Sequence, residues 1–180
     1  IIQIELEKKM LGKYFPIAVG IYADAATATK QIFNEIKKEK IKLDLKEWTD
    51  SYLIERKKYL KNRDIKNLGK NFPIQPQGLF KQLRKVLPKN SAITLDAGTL
   101  CLQATDALEY YDPPSLFTPL DFGLVGFSFA CGLGVKIAKP KKTVVSLMGD
   151  GGFGMTISEL STAVEYKINT TTLVMNNQSW

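Results

Sequence analysis

A glycine-rich segment between two apolar runs constrains the fold of this chain more than any other feature. The letters GDGGFG at residues 149–154 directly follow the apolar run TVVSLM at residues 143–148. Residues 156–168 then have helical spacing, and a second run rich in β-branched residues covers residues 170–175. A strand, a turn, a helix and a second strand in this order predict one βαβ unit, which requires a parallel sheet.

The helix of this unit has a predicted start and a predicted inner face. Thr156 is followed three residues later by Glu159, which is the spacing of a capping box, so we expect the helix to begin there after a glycine-rich loop. Apolar residues at helical spacing predict the side that packs on the sheet: Ile157, Leu160, Val164 and Ile168.

The segment before this unit continues the alternation of strands and helices. We expect a helix from Pro76, a strand over Ala92–Leu95, a helix over Thr99–Tyr111 and a small-residue helix over Gly126–Ala138. The inner side of the first helix is predicted to contain Leu79, Phe80, Leu83, Val86 and Leu87. The pattern predicts an α/β fold in which helices cover both faces of a parallel sheet.

The first 72 residues predict two further parts. The alternating start of the chain and the run that ends near Ala23 predict two strands, and Asp24 is a predicted N-cap for a helix through Glu39. An apolar stripe on this helix contains Ile32, Phe33 and Ile36. We therefore expect an α/β segment at residues 1–45, a Lys-rich linker with some helix at 46–72 and the main α/β segment at 73–180.

Composition excludes several classes of chemistry. The chain contains no histidine, so triads that use imidazole and sites with histidine metal ligands are excluded. Cys101 and Cys131 lack the spacing of a zinc or disulfide framework, so we expect free thiols in a cytoplasmic protein. The longest apolar stretch, residues 122–135, contains four glycines and a serine and is too short to span a bilayer.

The net charge of +7 is unevenly distributed. Residues 1–90 contain 20 Lys and Arg against 10 Asp and Glu, whereas residues 91–180 contain 5 against 8. Few aromatic residues or arginines stand among the lysines, which is typical of a solvated face rather than of a nucleic-acid site. We expect neither nucleic-acid nor membrane binding.

The glycine-rich segment is predicted to bind a phosphate together with a cation. Ligands of such sheets bind at the carboxyl ends of the strands, here after Asp96 and Gly149. The spacing also fits the dinucleotide pattern GxGxxG, but no acidic residue ends the next strand to hold a ribose. Asp150 would repel a bare diphosphate, and with Asn177 after the neighbouring strand it offers hard oxygen ligands for Mg²⁺.

These features resemble one enzyme superfamily. GDG, the 25 residues from Gly152 to Asn176 and then Asn177 resemble the binding signature of thiamine diphosphate-dependent enzymes. The stretch from TPLDFGLVGF to NNQSW is similar to the cofactor domain of the acetolactate synthase and 2-oxoacid decarboxylase group. IIQIELEKKMLGKYFPIAVGIYADA resembles the end of its central domain, so we expect a fragment of a longer chain. Residues 1–45 would then end the central domain, and residues 73–180 would begin the diphosphate-binding domain.

The resemblance implies a role for individual residues. It implies Asp150, the side chain of Asn177 and the backbone carbonyl of Ser179 as Mg²⁺ ligands. The residues implied to contact thiamine diphosphate are Gly98, Thr99, Gly123, Val125, Gly149, Gly151, Gly152 and Phe153. Gly151 and Gly152 would hold diphosphate oxygens, and the Gly123 carbonyl would accept from the aminopyrimidine. Val125 would support the bent cofactor where the family has a larger residue, usually Leu, Ile or Met.

The resemblance also implies an activity and a missing group. Members of the family cleave a C–C bond next to a carbonyl, with the cofactor as the electron sink. Their activating glutamate belongs to a pyrimidine-binding domain, usually of a partner subunit, and no stretch here resembles that domain. We expect no catalytic side chain in this chain, no turnover by the chain alone, and a homodimer or homotetramer when complete.

Three alternatives for the function remain open at this stage. The first is an acetolactate synthase-like reaction, whose substrate is a 2-oxoacid or a related carbonyl compound. The second is a sulfoacetaldehyde acetyltransferase-type reaction, because VGIYADA and NNQSW also resemble segments of those members. A non-catalytic cofactor-binding subunit of a split enzyme is the third.

Overall fold

The computed structural model describes residues 1–63 and 74–177 of the chain. Two compact units are distinguished, Ile1–Tyr59 and Leu60–Trp180, and each is described by itself. The division falls inside the predicted linker, while the three-part domain assignment itself stays a prediction. Within the described ranges, no helix combines the length and apolar character needed to cross a membrane.

The first unit contains a small parallel sheet, one complete helix and all but the last four residues of a second helix. Strands β1 (Ile2–Glu5) and β2 (Val19–Tyr22) pair in parallel, which confirms both predicted strands. Helix α1 covers Ala25–Lys38 and helix α2 covers Lys46–Arg63. The predicted N-cap is also confirmed, because the Thr27 N–H donates to Asp24 Oδ1 at 2.8 Å.

The apolar stripe of α1 is exposed within this unit. Ile32, Phe33 and Ile36 are exposed, and Ala28 is the buried residue of the helix. Helix α2 occupies the predicted Lys-rich linker, and its described side chains are exposed. Its helical content agrees with the prediction that the linker contains some helix.

The second unit is built on a four-stranded parallel sheet. Its elements are α3 (Pro76–Val86), β3 (Ala92–Leu95), α4 (Thr99–Ala107), β4 (Leu116–Phe117), α5 (Phe127–Ala138), β5 (Val144–Gly149), α6 (Asp150–Thr156), α7 (Glu159–Glu165) and β6 (Thr171–Met175). The strands lie in the order β4-β3-β5-β6, and every pair is parallel. The predicted fold class, a parallel sheet with helices on both faces, is confirmed.

Alternation along β3 and β5 assigns each residue to one face of the sheet. On one face, Ile93 and Leu95 pack with Val145 and Leu147 against the buried residues of α3 and α4. On the other face, Ala92 and Val144 pack against Val135 of α5. Met148 extends this second face in a cluster with Phe129 and Leu133.

Helix α5 approaches the sheet through small and hydroxylated residues. The Thr94 hydroxyl lies 2.9 Å from Ser146 Oγ and 2.9 Å from the Ser128 carbonyl, and Ser128 Oγ donates to the Thr94 carbonyl at 2.9 Å. A Cβ on Gly132 would overlap Ser146 Oγ. The close approach therefore requires glycine at position 132, and the buried hydroxyls are hydrogen-bonded to one another.

Two helix predictions of this unit are wrong in detail. Helix α4 ends at Ala107 rather than at Tyr111, because Leu108 adopts an extended conformation and enters the core. Val86 is exposed rather than inward, since α3 ends there and Leu87 takes the inner position in an extended conformation.

The prediction for the segment after β5 is also wrong in part. Helix α6 begins at Asp150, so residues 150–154 of the glycine-rich segment are helical rather than a loop, and Thr156 ends a helix instead of capping one. Its Oγ1 is buried without a hydrogen-bond partner in the described structure. Of the predicted inner stripe, Ile168 packs on the core, whereas Ile157, Leu160 and Val164 are exposed.

Candidate functional site

The strand order reverses between β3 and β5, and open parallel sheets form a crevice at such a reversal. The chain leaves β3 for β4 on one side and then crosses through α5 to β5 on the other side. Ligands of open parallel sheets bind at such a reversal, outside the carboxyl ends of the strands. Leu95 pairs with Leu147 in parallel register, so the turns after Asp96 and Gly149 lie at the same edge. These are the two turns that the sequence predicts as the site.

The turn after β3 presents the start of α4 at this edge. Gly98 precedes the helix with φ 101° and ψ −173°, a backbone conformation that essentially only glycine adopts. A Cβ placed on Gly98 would meet no atom within 4 Å. Gly98 and Thr99 are both exposed, so both residues are accessible for the contacts with a cofactor that are predicted for them.

The turn after β5 is the start of α6. Gly149 is extended at φ −77° and ψ 165°, and Asp150 is the first helical residue. Because the first amides of a helix have no partner within it, the N–H groups of Asp150, Gly151 and Gly152 are available to an anion. This geometry differs from the predicted loop, but it places the same residues at the crevice.

Asp96 is buried beneath this turn. Its side chain is 2% exposed, and its two oxygens accept the N–H groups of Gly126 at 3.0 Å and Ser128 at 3.1 Å. Asp96 therefore closes the N-terminus of α5. A Cβ on Gly152 would overlap Asp96 Oδ2, so a side chain at position 152 has no room. The absence of that side chain leaves a bare backbone where the resemblance implies a diphosphate.

The predicted metal ligands follow neighbouring strands. Gly149 of β5 pairs with Met175 of β6, so Asp150 and Asn177 follow adjacent strands at the same edge. Asp150 is partly buried and Asn177 is exposed. The third predicted ligand, Ser179, lies outside the described residues. In the described ranges, no three His, Cys, Asp or Glu side chains form a metal-binding group.

A chemical comparison shows that the residues present suit Mg²⁺ with a diphosphate. The metal prefers oxygen ligands and is usually bound by one or two carboxylates together with substrate phosphates and waters. Asp150 supplies one carboxylate and Asn177 one amide oxygen, so a diphosphate would have to supply further ligands. The two residues thus fit a metal that arrives with its anion.

The loop before α5 contains two more predicted contacts. The N–H of Gly123 donates to the Pro119 carbonyl at 2.7 Å, and Gly123 adopts φ 72°. Val125 is 42% exposed, so its methyl groups are available to a ligand. The carbonyl of Gly123 is not among the acceptors of the described backbone hydrogen bonds.

Phe153 contributes to the core as well as to the predicted site. Its ring lies 5.7 Å from that of Phe129 in an edge-to-face arrangement and packs on the cluster with Met148. This contact fixes the side chain on the sheet, so a role in holding the cofactor would fall to its backbone. The resemblance implies a contact for Phe153 only through its place in the motif.

The cysteines and a buried tyrosine lie outside the site. Cys101 is buried and Cys131 partly buried, and both are free thiols, as predicted. Burial raises the pKa of the Cys131 thiol, so at neutral pH it is the unreactive protonated form. Burial likewise raises the pKa of Tyr110, whose hydroxyl donates to the Ala104 carbonyl at 3.3 Å. None of these groups is poised as a nucleophile.

Comparisons with known proteins match the segment that contains this candidate site. Residues 96–180 match the family model described as "Thiamine pyrophosphate enzyme, C-terminal TPP binding domain". The chain is 32% identical over 179 residues to an acetolactate synthase large subunit of Buchnera aphidicola subsp. Schizaphis graminum, covering 99% of this chain and 31% of that protein. It is 28% identical over 197 residues to a sulfoacetaldehyde acetyltransferase of Castellaniella defragrans, covering 100% of this chain and 33% of that protein. The chain thus spans about a third of the length of these relatives.

Proposed function

The chain belongs to the thiamine diphosphate-dependent enzyme superfamily, and on that premise we propose that it is part of an enzyme that cleaves a C–C bond next to a carbonyl with thiamine diphosphate and Mg²⁺. The observation that supports this most directly is the arrangement at the β3–β5 crevice. At this edge of the sheet, the start of α6 with Asp150 follows β5, and Asn177 follows the adjacent parallel strand β6. When bound, the cofactor supplies an electron sink for the carbanion that C–C cleavage leaves.

Each predicted site residue has a binding or orienting task in this proposal. Asp150, Asn177 and the Ser179 carbonyl hold Mg²⁺, which neutralises the diphosphate beside the Asp150 carboxylate. The N–H groups of Gly151 and Gly152 hold diphosphate oxygens.

The loop and turn residues hold the organic part of the cofactor. Gly98 and Thr99 contact it from the start of α4, and their exposure supports this assignment. The Gly123 carbonyl would accept a hydrogen bond from the aminopyrimidine, and Val125 would support the bound cofactor. The activating glutamate comes from a pyrimidine-binding domain of a second subunit in a homo-oligomer.

The experiment that tests the metal site uses the full-length protein that contains this chain. Asp150→Ala should abolish Mg²⁺-dependent binding of thiamine diphosphate, measured by isothermal titration, since the diphosphate then faces the site without its cation. A matched control is Asp112→Ala. Asp112 precedes β4 and pairs with Lys142 at 2.9 Å, so this variant removes a carboxylate from the opposite edge of the sheet. Unchanged affinity in the Asp150 variant would contradict the metal assignment.

The substrate is tested separately, because two activities are represented among the relatives. The chain resembles acetolactate synthase and sulfoacetaldehyde acetyltransferase to a similar extent. We propose a 2-oxoacid such as pyruvate as the substrate, in an acetolactate synthase-like reaction. Turnover of sulfoacetaldehyde but not of pyruvate would assign the transferase reaction instead, and binding without turnover of either would favour a cofactor-binding subunit.

A further inference from the structure

We propose that Asp96 is a positioning residue, which sets the place of the Gly152 backbone and through it the diphosphate-binding turn. This inference rests on the proposed function, because it assigns a purpose to a side chain to which the resemblance gives no role in binding the cofactor or the metal. It starts from a convergence of three segments that are far apart in the chain. Asp96 directly follows β3, Gly126 precedes α5 and Gly152 lies in the first turn of α6, and all three are buried.

The Asp96 carboxylate is fully engaged on the side of α5. Oδ2 accepts the Gly126 N–H and Oδ1 accepts the Ser128 N–H, at 3.0 and 3.1 Å. A carboxylate at a helix N-terminus is favoured by the amides and by the helix dipole. These two bonds fix both oxygens, so the side chain presents a rigid surface to α6.

On the side of α6, that surface is in contact with the backbone of Gly152. A Cβ on Gly152 would overlap Asp96 Oδ2 and would lie 3.5 Å from the Gly126 nitrogen. In the reverse direction, a Cβ on Gly126 would lie 3.5 Å from the Gly152 carbonyl oxygen and 3.2 Å from Met155 Cβ. The start of α6 therefore rests on a platform that Asp96 and Gly126 form together.

The platform matters for the proposed ligand because anion binding depends on where the amides stand. A binding group must be held within about 0.5 Å of its productive position by its supporting residues. Asp96 also occupies two amides at the start of α5, those of Gly126 and Ser128. Loss of Asp96 would therefore change the position of the diphosphate-binding turn.

The test is a double-mutant cycle in the full-length protein, with Asp96→Ser and Gly152→Ala. Asp96→Ser keeps an oxygen that can cap α5 but removes Oδ2, the atom that a methyl group at position 152 would overlap. Gly152→Ala alone should raise the dissociation constant of thiamine diphosphate with Mg²⁺ about tenfold or more, since a displaced binding group loses its contacts. Asp96→Ser alone should raise it severalfold.

The double variant decides between coupling and independence. If Asp96 positions Gly152, the new methyl group occupies the vacated space, and the double variant binds more tightly than Gly152→Ala alone. A fold-increase in the dissociation constant of the double variant that equals the product of the two single fold-increases would overturn the proposal. The proposal would also fall if Asp96→Ser lowered the unfolding midpoint of the apoprotein without changing cofactor affinity, because Asp96 would then only cap α5.

Two further measurements keep the outcomes separate. Ser128→Ala is a matched control, since it removes a buried hydroxyl of the same helix start that bonds Thr94 rather than Asp96, and it should lower stability but leave cofactor affinity unchanged. If the unaltered protein fails to bind thiamine diphosphate, the proposed function is wrong. The unfolding midpoints of the unaltered protein, the two single variants and the double variant then test the contact between Asp96 and Gly152. Non-additive shifts support this contact, and additive shifts refute it.

Discussion

The Oγ atom of Ser146 on β5 would overlap a Cβ placed on Gly132 of α5. The Thr94 oxygen lies 3.3 Å from the same position, so a methyl group there would meet two hydroxyls of the buried network. Helix α5 can pack this closely only because position 132 has no side chain. This contact fixes the distance between helix α5 and the sheet. Because Asp96 caps the N-terminus of the same helix, the packing of the core is connected with the candidate site.

The first prediction concerns this contact. Gly132→Ala should destabilise the second unit by about 1–3 kcal/mol, because the helix must shift away from the sheet to accept the methyl group. Gly134→Ala on the same helix is the matched control, since a Cβ there meets nothing within 4 Å. The control should be neutral or stabilising by up to about 1 kcal/mol. Denaturant unfolding measures both variants, and equal effects would contradict the packing argument.

The second prediction concerns pH and the start of α1. Hydrogen bonds from the Thr27 N–H and the Thr27 hydroxyl lower the pKa of Asp24 below its ordinary value of 3.8. A lowered folded-state pKa stabilises the helix above the ordinary value, and this stabilisation is lost as the pH falls through the folded-state pKa. Asp24→Asn can still cap the helix but does not titrate.

Hydrogen exchange of the α1 amides tests this prediction. Protection of the unaltered helix should fall relative to that of Asp24→Asn as the pH drops below about 4. A constant ratio of the two protections across the acid range would show that the Asp24 carboxylate does not contribute through its charge.

Much of the fold could be predicted because its signals are local. The alternating and apolar runs of β1, β3, β5 and β6 predict strands directly, and their bounds agree with the structure within about two residues. The separation of GDG from Asn177 likewise reflects one βαβ unit, whose register brings Gly149 opposite Met175. Patterns with a period of two or 3.6 residues express such local geometry well.

The errors arise where distant segments decide. The Thr156 capping box is a valid local pattern, but α6 begins at Asp150 because the chain turns directly from β5 into helix at the crevice. Leu160 and Val164 have the period of an inner face, yet both are exposed in the part of the chain that the structure describes. The role of Asp96 depends on Gly126, thirty residues later, which only the folded sheet brings within 3.0 Å. Periodicity predicts which side is apolar and not what lies against it.

The third prediction concerns Val125. Replacing it by Ala should lower kcat more than it lowers cofactor affinity, because misplacing a bound cofactor chiefly harms the chemical step. Stability should change little, since the side chain is 42% exposed. Leu124→Ala, at a neighbouring residue that is 49% exposed, is the matched control and should leave kcat unchanged. A loss confined to cofactor binding would show that Val125 does not support the reacting geometry.

The last prediction is that the 180-residue chain, purified alone, has no turnover above free thiamine diphosphate. No histidine offers an alternative acid or base, and the second unit contains only three glutamates, Glu109, Glu159 and Glu165. Glu109 follows the C-terminal end of α4 and Glu165 ends α7, so both stand away from the carboxyl edge of the sheet, while Glu159 accepts the Thr162 hydroxyl at 2.9 Å. General acid–base assistance is worth about 10²- to 10⁴-fold, and activation of the cofactor depends on it.

The measurement is CO₂ release from pyruvate with thiamine diphosphate and Mg²⁺, against a protein-free control, after circular dichroism has established that the chain is folded. Release well above that control would mean that a carboxylate within residues 1–180 activates the cofactor, and adding Glu159→Gln would then identify whether the glutamate on α7 is responsible.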